Sequence, residues 1–254
     1  MATWHESSSV SRRTYNKQAT NAWLNDGFMS SHVEGYICAI QEQEIRTRLL
    51  IKQRENPESN NKCRYCNSME ESIFHILNSC SHLSTSMYLP VRHNEVAKVI
   101  YHELIEMHQN IEKRRNPETI TKTSDFEMWW DKKVSVQPTV EHNRPDIVYW
   151  NFQEKKCLII DICVPLDVNV AREEKEKCDR YVILASRLQR LYPQYKYEIV
   201  PIVIGSTGYV SNNLQKYIEQ CGFDKKKATS IIPMLQRKAL RGSLKVVKTA
   251  MKLK

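Results

Sequence analysis

The chain has 254 residues, of which 41% are hydrophobic and 26% charged, with a formal net charge of +9. That length can bury a real core and suits one large domain or two modest ones, and six glycines are too few for a turn-rich all-β sandwich. The apolar runs, Cys157–Ile160 and Ile199–Ile204 the longest, are too short to cross a bilayer, and polar Met1–Val10 lacks a secretory h-region, so an intracellular protein without membrane contact is expected.

In chain order, the Ser/Asn/Thr-rich residues 1–30 predict a flexible segment with a turn near Asn25–Gly27. Gly35–Arg54 predicts a helix, with Ile37, Ile40, Ile45 and Leu49 near helical spacing. Residues 56–62 break it, Glu70–Leu77 reads as a short helix, and His93–Ile111 as a longer one with Val96, Ile100, Leu104, Met107 and Ile111 on one stripe. The polar residues 116–123 mark the boundary between a helical region (31–115) and a second unit (116–224). There the pattern changes to strands at Phe126–Val136, Ile147–Trp150, Cys157–Val164 and Tyr197–Ile204, with a helix over Glu173–Leu191 between the last two. Further helices are expected over Asn212–Cys221 and after Pro233, a residue suited to a first helical turn. The order implies an α/β sheet with helices on its faces.

Residues 225–254 carry ten Lys or Arg and no Asp or Glu, leaving the rest of the chain nearly neutral. A basic tail of this kind suits a polyanion such as nucleic acid, and suits equally a solvated Lys-rich helix.

Three of the eight cysteines cluster at Cys63, Cys66 and Cys80; the other five are scattered and read as small core residues. Cys63 and Cys66 form a two-residue knuckle, and His75 with Cys80 completes a tetrahedral Zn²⁺ shell on a following helical turn. His82 is an alternative fourth ligand. Four protein ligands leave no place for water, so the expected zinc is structural.

Asp146, in Arg144-Pro145-Asp146, begins one strand, and Asp161 lies inside the next. Alternation puts Leu158, Ile160, Ile162 and Val164 on one face and Ile159, Asp161 and Cys163 on the other. A carboxylate in such an apolar run is costly unless it is paired or binds a metal. The hairpin Asn151–Lys156 would bring both carboxylates together to share Mg²⁺ (or Mn²⁺) and activate water. Lys177 lies on the stripe of Tyr181, Leu184, Leu188 and Leu191, where periodicity alone suggests a snorkelling side chain.

Taken together, the residues resemble the C-terminal region of non-LTR (LINE-type) retrotransposon polyproteins that carry a restriction-like endonuclease. The likeness runs from about Asp26 to the C-terminus. It includes Glu34–Arg48, the CCHC finger Cys63/Cys66/His75/Cys80, Tyr88 with Arg92-His93-Asn94, Trp130-Asp131, Arg144-Pro145-Asp146, Asp161 with Val164-Pro165 and Asp167, Glu176-Lys177 with Tyr181, and Pro201–Gly205. The resemblance implies a PD-(D/E)xK core of αβββαβ order over 116–224, preceded by a helical CCHC zinc module with its finger at 63–80 and followed by a basic helix at 225–254.

It further implies a metal-dependent nuclease that nicks nuclear target DNA, with Asp146 and Asp161 as Mg²⁺ ligands. Lys177 would be the catalytic lysine, displaced from the usual strand position that Cys163 occupies, and Arg144 and Tyr181 supporting residues. The finger, including Arg64, and the basic residues Lys225, Lys226, Lys227, Arg237, Lys238 and Arg241 are the expected nucleic-acid contacts. No Tyr-x-Asp-Asp sequence of a reverse transcriptase is present, so the expectation is a fragment or domesticated remnant that would work with element RNA or a separate reverse transcriptase. The competing expectation is a nucleic-acid-binding remnant without catalysis, acting through finger and tail.

Overall fold

The computed structural model describes residues 16–24, 27–108 and 116–253. Its helices begin with α1 (Lys17–Asn21), α2 (Ser31–Gln41) and α3 (Arg48–Arg54). The Cys/His segment follows with a wide helical turn at His75–Ser79, and α4 (Asn94–Glu106) leads into the strands. These are β1 (Ile120–Lys122), β2 (Phe126–Trp130), β3 (Ile147–Asn151) and β4 (Lys156–Cys163). Then come α5 (Val170–Leu191), β5 (Lys196–Val203), α6 (Leu214–Gln220) and α7 (Lys225–Met251).

The five strands lie side by side in chain order, antiparallel up to β4, with β4 and β5 parallel. A parallel neighbour needs a crossover, which α5 supplies. The alternation expected in β4 holds. Leu158, Ile160 and Ile162 join Val96, Ile100 and Leu104 of α4 and Ile231 and Leu235 of α7 in one core. Cys157 and Ile159 pack on the other face against Tyr181, Leu184 and Leu188 of α5. The sheet is therefore sandwiched, with α5 on the face that carries Asp161. No described helix is long and apolar enough to cross a membrane.

Several boundaries differ from the sequence reading. The Gly35–Arg54 helix is two helices, because Gln43 takes a positive φ of 60° and Thr47 caps α3 by accepting from Leu50 N. The polar stretch read as a linker contains β1, an edge strand whose exposed residues need no apolar pattern. Beyond Trp130 the chain leaves the sheet, yet Val134 and Val136 still enter the α5-side core. Residues 1–15, 25 and 26 of the segment expected to be flexible lie outside the described residues. In its described part, Trp23 is buried beside Met29, Ile37 and Leu240, and Gln236 donates to the Ala19 and Thr20 carbonyls. The His93–Ile111 helix ends at Glu106, and residues 109–115 lie outside the described part. That helix packs on the sheet, not on the finger, because its stripe matches the apolar face of β2–β5.

The last helix begins at Lys225, the start implied by the resemblance, eight residues before the Pro233 start that the proline alone suggests. Asp224 is its N-cap, accepting from Lys227 N at 2.7 Å. Pro233 removes one helical hydrogen bond, at a typical cost of about 3 kcal/mol. Burial offsets this: thirteen of its residues are buried, from Ala228 to Ala250, so the helix is a core element and not a solvated tail. Its first half packs under the sheet, and Leu244, Val246, Val247 and Ala250 pack against Ile73, Ile76 and Leu77 of the Cys/His segment.

Candidate active site and metal cluster

Cys63, Cys66, His75 and Cys80 converge, their ligand atoms all within 4.8 Å of one another, and the cluster can hold a metal ion such as zinc. Cys63 Sγ and Cys80 Sγ are 3.9 Å apart, close to the roughly 3.8 Å edge of a tetrahedron with Zn–S bonds of about 2.3 Å. Cys66 Sγ lies 3.3 Å from His75 Nε2. Hydrogen bonds from Ser68 Oγ and the Met69 and Ser68 amides lower the Cys66 pKa to about 5, favouring the thiolate a metal needs. Burial pushes Cys80 up to about 11. Tyr88 braces the turn, donating to the Ile76 carbonyl at 2.6 Å and accepting from Cys80 N at 3.1 Å. His82 is outside the cluster and stacks on Tyr65, so the alternative with His82 as fourth ligand is not the one adopted.

The second constellation forms where β3 and β4 begin to diverge. Ile147 pairs with Ile160, and one further step in that antiparallel register sets Asp146 beside Asp161. Asp146 Oδ2 accepts from Ile162 N at 2.6 Å and from His93 Nε2 at 3.2 Å. Asp161 is 4% exposed; its Oδ2 accepts from Lys177 Nζ at 2.5 Å and its Oδ1 from the Tyr181 hydroxyl at 3.1 Å. Lys177 does not snorkel to solvent. It is 5% exposed, and its stripe on α5 delivers the ammonium to the strand carboxylate. Leu191, placed on the same stripe, is 52% exposed because the helix outruns the sheet there.

The electrostatics follow from this crowding. Burial and then the neighbouring Asp146 charge raise the pKa of Asp161, despite Lys177. Burial acts the same way on Asp146, but the hydrogen bond and charge of His93 outweigh it and the pKa falls. His93, in turn, rises to about 9 against its own burial, through Asp146. Lys177 is desolvated, yet the Asp161 charge holds its pKa above the ordinary value.

His93 was given no role by the sequence reading. It lies 53 residues before Asp146, and no local pattern links them; only the fold of α4 onto the sheet does so. Arg144 lies at the edge of this group. Its guanidinium engages Asp131, at 2.8 Å from Nε, while its carbonyl accepts from Tyr181 at 3.4 Å. Cys163, two positions after Asp161, has a pKa raised to about 11 by burial, with its Sγ 3.9 Å from a Glu173 oxygen.

The expected nucleic-acid contacts are dispersed. Arg64 forms an ion pair with buried Glu71 at 2.6 Å. Lys227 pairs with Glu103, and Lys238 with Glu95 at 3.0 Å. Arg237 covers the Phe28 ring, Arg241 donates to the Phe28 carbonyl, and Lys225 and Lys226 are exposed at the start of α7. A scan against models of protein families finds no match, and no curated protein matches the chain.

Proposed function

We propose that this chain is a divalent-metal-dependent DNA endonuclease with a restriction-type PD-(D/E)xK core, derived from a non-LTR retrotransposon and acting on nuclear DNA. The observation that supports this reading is the meeting of two carboxylates from adjacent strands with a buried lysine from the crossover helix. The donor set fits a hard cation such as Mg²⁺ or Mn²⁺, since both side chains are oxygen ligands. Burial first and then the Asp146 charge raise the pKa of Asp161, and a cation held by these carboxylates would relieve that repulsion. Bound there, the ion would supply Lewis acidity towards the scissile phosphate and lower the pKa of water.

The chain's own groups do the positioning. Ile162 N and His93 fix Asp146, and Tyr181 fixes Asp161. Lys177 keeps a positive charge beside Asp161 that offsets phosphate charge and orients the attacking water. In this reading the Cys/His cluster holds structural Zn²⁺, and element RNA or a separate reverse transcriptase is a partner.

A second reading, a nucleic-acid-binding remnant without catalysis, draws on a different observation. Both oxygens of Asp161 are already satisfied by Lys177 and Tyr181. A supercoiled-plasmid assay with Mg²⁺ or Mn²⁺ separates the two. Metal-dependent nicking should fall at least a hundredfold in Asp146→Ala and in Lys177→Ala, in line with the loss of a principal electrostatic group. A folded, zinc-loaded protein that binds DNA but leaves the plasmid intact would sink the nuclease reading.

A further inference from the structure

Next to the carboxylates lies a buried positive charge that makes no salt bridge among the described residues. Arg92, just before α4, is 2% exposed, yet no carboxylate reaches salt-bridge distance of it among the described residues. Its Nη1 donates to Ser243 Oγ at 3.3 Å, its guanidinium carbon lies 5.1 Å from the Tyr88 ring centroid, and its Nε has no partner. Asp167 acts on it through space but is itself held by Thr207, at 2.9 Å from N and 2.5 Å from Oγ1. Burial lowers the Arg92 pKa only to about 10, so the group stays charged at neutral pH. A desolvated cation left unpaired is strongly unfavourable unless an anion joins it.

The side chain is also locked in place. A Cβ on Gly242 of α7 would lie 2.8 Å from both Arg92 Cβ and Cγ, so the helix backbone presses directly on it. Arg92 and His93 line an open cleft of about 430 Å³, together with Asn78, Ser84 and, at the start of α5, Asn169 and Arg172. His93 touches Asp146, so the cleft opens beside the carboxylate pair. Glu173 also lines it, held 3.3 Å from Arg172. Asn78 Oδ1 is a second unpartnered buried atom in the wall, an acceptor for an ordered water or a nucleotide donor.

We propose that this cleft seats a backbone phosphate of the DNA, flanking the cleaved bond, with Arg92 as its fixed charged donor. The Nε–Nη edge of a guanidinium matches two phosphate oxygens, and here Nε is the unused atom. The identity of the anion rests on the nuclease reading above; the need for one rests on Arg92 itself.

The test is fluorescence-polarisation binding of the full, zinc-loaded chain to a labelled DNA duplex, without added divalent cation and over a range of salt. Arg92→Met should bind at least tenfold more weakly, with the salt slope reduced by about one, while its Tm stays level or rises because a buried charge is gone. Ser84→Trp, at an exposed lip of the cleft, should also weaken binding about tenfold without disturbing the core. Wild-type affinity and slope in Arg92→Met overturn the proposal; if that variant does not fold, wild-type affinity in Ser84→Trp does so. Plasmid nicking run in parallel keeps the two readings apart. Arg92-dependent binding with no nicking by any form refutes the nuclease alone, and nicking with Arg92-independent binding refutes the phosphate seat alone.

Discussion

Glu71 holds the finger's knuckle in shape. It is fully buried and accepts Arg64 N, Nε and Nη2 and Arg48 N, so the partly exposed Arg64 side chain is held by an ion pair within the protein. Burial works to raise its pKa, but the Arg64 contacts outweigh that, and the pKa falls below its ordinary 4.5. A lowered carboxylate pKa contributes stability that is complete above 4.5 and is lost as pH drops through the folded value. Glu71→Gln should therefore be about 3 kcal/mol less stable at neutral pH, as for a broken buried pair. The gap to wild type should narrow on acidification below pH 4.5. Thermal melts followed by circular dichroism from pH 7 to 3 measure this; two parallel curves would mean the pair is not titrating.

Among the elements, α7 does the most to join the parts. At 27 residues it is about 40 Å long, enough to run beneath the sheet with one half and beneath the Cys/His segment with the other. Leu244, in the second half, is buried in the cluster with Ile73, Ile76 and Leu77. Leu244→Ala should cost about 2–4 kcal/mol in urea unfolding and weaken retention of Co²⁺ at the cysteine cluster, read from the thiolate–cobalt absorption. Lys225→Ala, on the exposed first turn of the same helix, should stay within about 0.5 kcal/mol of wild type. Equal effects from the two substitutions would contradict the burial that distinguishes them.

For the whole molecule, this sharing predicts cooperativity. The Cys/His segment and the sheet are separate in sequence, but the buried residues of α7 belong to both cores. Stripping zinc from zinc-loaded protein with a strong chelator should then lower the Tm of a single transition, with tryptophan fluorescence from the sheet and cysteine exposure from the Cys/His segment changing together. An early finger transition followed by an unshifted sheet transition would show that α7 does not couple them. The same packing makes the net charge of +9 a poor guide to a binding face. Lys227 and Lys238 answer carboxylates of α4, so part of the basic run is paired within the chain at its surface.

By itself the sequence determined whatever depends on short-range periodicity and ligand spacing. The Cys63/Cys66/His75/Cys80 cluster was legible because four metal-binding side chains within 18 residues need little more than one turn to converge. The alternation of β4, with Asp161 on the face opposite Leu158, Ile160 and Ile162, was legible because a strand's period of two is local. Helix ends were less so, since Asp224 caps α7 nine residues before Pro233, whose fixed φ suits a first turn. Only the tertiary structure decided that Lys177 reaches Asp161, that His93 touches Asp146, and that Arg92 is buried without a salt bridge among the described residues. Those facts depend on which face of α5 meets β4 and on where α4 and α7 cross the sheet. Contacts between residues so far apart in the chain are set by the fit of apolar faces, which no local pattern encodes.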